Sequence, residues 1–151
     1  MTETIYRISS LSDAMTALDY FNGFHDGFIK QLVLDSQDKF EARGVHQLSG
    51  WLDLELTIAH YNYQRDTRPH DQLIQAKFIQ VKDLAVKFSG RPLEWPIITF
   101  AIGEAARMNE MNQQVKCFQA VLSFSHLQDD QTWVLEDDLK FTFSSAEFIE
   151  Q

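Results

Sequence analysis

The sequence predicts an α+β domain that is mainly β, an antiparallel sandwich or half-open barrel with one N-terminal helix packed against it. Three observations predict it. Residues 10–22 carry the one strong helical repeat of apolar residues. Several later stretches alternate apolar and polar residues with the period of two that a half-buried strand requires. The connections between them are short and polar and show no regular strand–helix alternation, which argues against a parallel sheet. The twelve phenylalanines fall mostly in the alternating stretches, where aromatic side chains favour sheet.

Taken in order, residues 4–8 (TIYRI) read as a short strand. In SSLSDAMTALDYFN, Leu11, Ala14, Met15, Leu18 and Phe21 share one helical face, and Ser10 stands three before Asp13 as in a capping box. Asn22-Gly23 ends this helix, since both residues tolerate the left-handed conformation of a helix C-terminus. Residues 27–35 (GFIKQLVLD) are apolar at both parities, which predicts a strand covered on both faces or central in its sheet. Residues 36–49 form a polar connection. In residues 51–61, Leu52, Leu54, Leu56 and Ile58 face inward while Asp53, Glu55 and Thr57 face outward.

Residues 62–72 read as a polar loop punctuated by Pro69. In the next strand Ile79 and Val81 are apolar at odd positions, but Leu84, Val86 and Phe88 at even ones. No single face stays buried across that change, so a β-bulge or break is expected at Lys82-Asp83. Residues 90–96 then turn. Residues 97–107 and 114–125 predict a hairpin around NEMNQ, with a helix over 103–113 as the competing reading. A last hairpin pairs 115–125 with 132–143, and the tail SAEFIEQ reads as a closing helical turn.

The length of 151 residues suits one domain, 1–151, able to bury roughly 68–70% of its unfolded surface without a staple. The net charge is −9 and the pI near 4.9. Such a chain repels phosphates, so neither nucleic acid nor an anionic membrane is an expected partner. Residues 127–151 hold Asp129, Asp130, Glu136, Asp137, Asp138, Glu147 and Glu150 against Lys140 alone. This end reads either as a solubilising face or as a docking surface for a basic protein, centred on Asp129, Asp130, Glu136, Asp137 and Asp138. The N-terminus has no signal-peptide pattern and no run approaches the length of a spanning helix, so a cytoplasmic location is expected.

The stretch NGFHDGF, residues 22–28, carries the one conspicuous chemical pair, His25-Asp26. The expected reading is structural: a carboxylate after a helix accepts backbone N–H groups, and the imidazole donates to a carbonyl. The alternative is a metal site, which needs further ligands. His60, at an inward position, completes the set His25, Asp26 and His60, with His70-Asp71 and His126 as further candidates. Cys117 lies mid-strand beside Phe118 and reads as a buried small hydrophobe. No nucleophile elbow, phosphate loop or dinucleotide fingerprint occurs, and no cofactor is expected. Trp51, Trp95 and Trp133 read as core.

The stretches FHDGFIKQLVLD (24–35) and FIQVKDLAVKF (78–88) resemble small uncharacterised bacterial proteins with an N-terminal Phe-His-Asp motif, including some polymorphic-toxin immunity proteins. The resemblance covers about one sixth of the chain and implies a protein that binds and blocks a cognate toxin. The sequence therefore predicts a non-catalytic protein-binding domain. The alternative is a small metal-dependent hydrolase with its site near His25, Asp26 and His60.

Overall fold

In the computed structural model, residues 4–36, 39–40, 44, 46–47, 51–61, 71–87, 96–109, 111–127 and 133–150 are described, with 39–40, 46–47, 71, 125–127 and 133–137 as backbone only. The chain begins with β1 (Thr4–Ile8) and α1 (Leu11–Tyr20). The Ser10 hydroxyl caps α1 by accepting the Asp13 N–H at 3.1 Å, and the Asp13 carboxylate accepts the Ser9 N–H at 3.1 Å. This reciprocal arrangement satisfies donors that a helix start leaves open. Those bonds hold the Asp13 carboxyl below its ordinary value, the Ser9 backbone contributing most.

After Phe21 the chain turns through Asn22, Gly23 and Phe24 at φ of 51°, 60° and 54°. A phenylalanine in the left-handed region is strained by roughly 1–2 kcal/mol. The reward is position: Phe24 is fully buried, 4.8 Å from the Phe21 ring and 5.6 Å from Phe148.

The strands follow as β2 (Phe28–Ser36), β3 (Lys39–Phe40), β4 (His46–Gln47), β5 (Leu52–Tyr61), β6 (Asp71–Lys87), β7 (Ile97–Met108), β8 (Gln114–Leu127), β9 (Trp133–Phe143) and β10 (Ser145–Glu150). Among the described residues β3 and β4 pair only with each other, and the other eight strands form one antiparallel sheet that curls into a half-barrel. β6 is its spine. Its first part lies between β5 and β10, and its last part pairs with β9. β9 continues through β8 to β7, while β1 flanks β10 and β2 flanks β5. Backbone bonds tie the turn before β2 to the start of β7: Ile97 donates to the Gly27 carbonyl at 2.7 Å, and Asp26 donates to the Ile97 carbonyl at 3.0 Å.

The expected bulge is present. The β6–β9 register shifts between Lys82 and Ala85, and Gln80 and Asp83 both take positive φ, 55° and 54°. There β6 bends, and its partner breaks at Ser144, whose N–H donates to the Ile79 carbonyl at 3.0 Å. The core lies inside the curl. Phe78 meets Phe141 at 4.7 Å and Phe143 at 5.0 Å, and Ala14, Ala17 and Phe21 close α1 over the opening.

Three expectations are corrected. The tail is strand β10, because Ala146 and Phe148 alternate inward between β1 and β6. β2 is neither central nor covered on both faces. It pairs with β5 alone among the described residues, and Phe28, Val33 and Leu34 are 44%, 43% and 46% exposed. Residues 71–72 belong to β6 rather than to the loop. The helix over 103–113 does not form, since β7 and β8 pair from Ile97 to Met108. The turn at 90–95, Trp95 and His70 lie outside the described residues.

Candidate functional site

The turn that joins α1 to β2 presents His25 and Asp26. Asp26 has φ +67°, and its Oδ2 lies 3.2 Å from His25 Nδ1, both side chains being about half exposed. Among the described residues the carboxylate takes no backbone donor, as an Asx turn would have it do. Those donors go to carbonyls: His25 to Asn22 at 3.1 Å, Asp26 to Ile97, and Gly27 to Phe24 at 2.8 Å. Gly27 is where two chain segments come closest. A Cβ there would lie 2.9 Å from the Phe24 oxygen and 3.0 Å from the Ala59 oxygen, which leaves room for glycine alone.

His60, near the end of β5, points inward as its parity predicts and is 4% exposed. Its ring packs edge-on against Phe24 at 5.3 Å and Phe21 at 5.9 Å. Burial pushes its pKa below the ordinary 6.5; the Phe21 backbone opposes that shift but does not reach hydrogen-bonding geometry. The imidazole is therefore neutral at pH 7. Directly across the ladder is Gln72 of β6. Its inward position was legible from Ile74, Ala76 and Phe78 at the same parity, once the strand is extended two residues into the expected loop.

Asp26, Lys30, His60, Tyr61 and Gln72 line a cavity of about 510 Å³ beside the β5–β6 edge, with Phe28 at its apolar side. Two of the three residues of the predicted metal set, Asp26 and His60, share this cavity; His25 does not line it. Asp71 and His126 are described in backbone only. Among the described residues no group of three or more His, Cys, Asp or Glu is placed to hold a metal ion.

Cys117 is buried, and burial pushes its thiol pKa up against the opposing pull of Arg107, which favours the protonated thiol. Trp51 is half-buried rather than core, with the Lys82 ammonium 4.5 Å and the Arg107 guanidinium 4.6 Å from its ring centre. Trp133 is described in backbone only.

Of the acidic end, Asp129 and Asp130 lie outside the described residues. Glu136, Asp137 and Asp138 are consecutive on β9, which pairs with β6 and β8, and Glu136 and Asp137 are described in backbone only. A second acidic surface, unnoticed in the sequence, is formed where β2 meets β5. Val33 lies opposite Glu55 and Asp35 opposite Asp53 in the ladder, and together with Ile79 and one cation, Lys77, opposite Glu55 on β6, they border a recess of about 170 Å³. The Asp53 carboxylate also accepts the Gln80 N–H at 3.1 Å.

Comparison with protein-family models, with curated proteins and with solved structures found no match to this chain. Among the described residues no helix is long and apolar enough to cross a membrane.

Proposed function

We propose that the chain is a non-catalytic protein-binding domain whose partner is basic, and that the edge strand β2 and the adjoining face of β5 are where it docks. One observation carries this reading. β2 has an open edge among the described residues and exposes Phe28, Val33 and Leu34 there. An unpaired strand with apolar side chains is a template for an added strand, which natural sheets otherwise protect. The bulge between Ile29 and Gln31 interrupts only its beginning; residues 31–36 keep regular register.

Charge favours a basic occupant over a second copy. Asp35, Asp53 and Glu55 outnumber Lys77 on this face, so two copies meeting there would bring a net excess of like charge together. The net charge of −9, with the acidic stretch 129–138, extends the attraction to longer range. The resemblance to immunity proteins supports the same reading, since such proteins act by binding and blocking. A metal-dependent hydrolase centred on His25, Asp26 and His60 is less well supported, because His25 does not line the cavity that the other two line.

The test begins with partner capture from the source cells, followed by reconstitution of the purified pair. Binding is expected to weaken with salt, since screening acts within about 8 Å at physiological ionic strength. It is also expected to be lost in Val33→Lys/Asp35→Lys. Binding that survives both, or a dimer formed through this face in light scattering, overturns the reading.

A further inference from the structure

Directly opposite residues on paired strands share a face, so the face of each β2 residue follows from its partner on β5. Leu34 lies opposite Leu54, which in turn lies opposite Phe78 on β6. Leu54 and Phe78 are 1% and 0% exposed, yet Leu34, at the end of the same row, is 46% exposed. Leu32, opposite the buried Leu56, is half-buried. The apolar rows of the core therefore run out to this edge and stop there uncovered. The alternate residues Val33 and Asp35 stand on the outer face, opposite Glu55 and Asp53. Val33 is exposed as well, so both faces of the strand are open along the same stretch. Asp35 and Asp53 set like charges across one ladder position, which is unfavourable. Lys77 stands in the next row, opposite Glu55.

We propose, resting on the reading of this face as the docking site, that its occupant is an extended segment of the partner in which basic and apolar residues alternate. The segment adds to β2 as a further strand. Its apolar residues continue the rows that end at Leu32 and Leu34. Its basic residues fall on the outer face, where a lysine or arginine stem packs on Val33 and the charge reaches Asp35 and Glu55. Backbone hydrogen bonds to the open edge supply affinity, and the alternation supplies selectivity. A pattern with a period of two reads the same in both directions, so it suits a parallel or an antiparallel guest. A helix suits the edge poorly, because its backbone groups are already bonded internally. A second copy of β2 would bring Asp35 to a face that calls for a cation.

The test uses the full chain and two end-capped synthetic peptides, equal in length to residues 31–36 and identical in composition. One alternates lysine and valine; the other holds its lysines and valines in separate blocks. The alternating peptide is expected to bind at least about tenfold more tightly in calorimetry, the worth of one well-buried apolar contact. It is also expected to slow amide hydrogen exchange in residues 31–36. Equal affinity for the two peptides, which attraction between net charges alone would give, overturns the proposal. Leu34→Asp separates the two causes by sign. It adds an acid beside the site, so a purely electrostatic surface would hold the alternating peptide more tightly. Strand addition instead requires binding about tenfold weaker or worse, because an apolar row is broken. Tighter binding therefore overturns the proposal too. The comparison of the two peptides on the wild type needs no variant and decides the matter alone if Leu34→Asp is unstable. If neither peptide binds up to about 1 mM while the captured partner still requires Val33 and Asp35, the added strand is wrong and the docking face stands. If the partner is indifferent to Val33 and Asp35 as well, the docking reading falls with it.

Discussion

The guanidinium of Arg107 donates through Nη1 to the carbonyl of Gln80 at 2.8 Å, tying the far end of β7 to the residue at which β6 bends. Arg107 is 8% exposed and also donates to the hydroxyls of Ser144 and, at 3.4 Å, Thr142. It therefore holds both bends, the one in β6 and the one between β9 and β10. Hydrogen bonds to a charged group contribute about 1.5–3 kcal/mol. Arg107→Leu is expected to lower stability by about that amount in urea melts, and Arg107→Lys to recover only part of it, since an ammonium lacks the fork. Lys82→Ala, which removes the other cation over Trp51, should cost under about 1 kcal/mol. Equal losses for Lys82→Ala and Arg107→Leu would show that stacking on Trp51, not the pinning of the bends, is what counts.

Gly27 and Gly103 make a controlled pair. A Cβ on Gly27 collides with two backbone oxygens, whereas one on Gly103 meets nothing within 4 Å. Gly27→Ala is expected to cost about 1–3 kcal/mol, the range for overpacking. Gly103→Ala should be neutral or stabilising by about 0.5–1 kcal/mol, as in other strand interiors. The two melting temperatures check this directly.

Asp26 sits at φ +67° with its carboxylate on a half-exposed histidine. Such a pair contributes at most about 1 kcal/mol, and the left-handed backbone penalises alanine by a similar amount. Asp26→Ala is thus expected to cost about 1 kcal/mol and Asp26→Gly almost nothing. Added chelator should leave the wild-type melt unchanged. A chelator-sensitive melt that both variants abolish would instead place a metal at the turn.

His60 sets a pH dependence. Its folded pKa is lowered by burial, so the unfolded chain takes up this proton first as pH falls through 6.5. The stability held by the neutral imidazole is fully present above that pH and is lost progressively below it. Wild type should lose melting temperature between about pH 7.5 and 5.5 relative to His60→Phe, which keeps the edge-on packing and cannot titrate. Parallel curves for the two proteins would mean that the folded state accepts the proton freely.

Local sequence determined the elements whose signals are local. Ser10 and Asp13 start the helix, Asn22-Gly23 stops it, and the alternation of Leu54, Leu56 and Ile58 sets which face of β5 is core, because caps, turns and parity act within a few residues. The change of parity near Lys82 even located the bend in β6, since one strand cannot bury two faces in succession without an extra residue. Which strands neighbour one another was decided only by the tertiary structure. β2 is as apolar as a central strand, yet among the described residues it stands at an edge, and the polar-looking tail is a strand between two others. Such placement depends on tying the turn at Gly27 to the start of β7 at Ile97, a contact between residues far apart in sequence. For the same reason the pairing of His60 with Gln72, and of Val33 with Glu55, was invisible until the ladder was formed. Each side chain's inward or outward facing follows from its own strand, but its neighbour follows from the register of another.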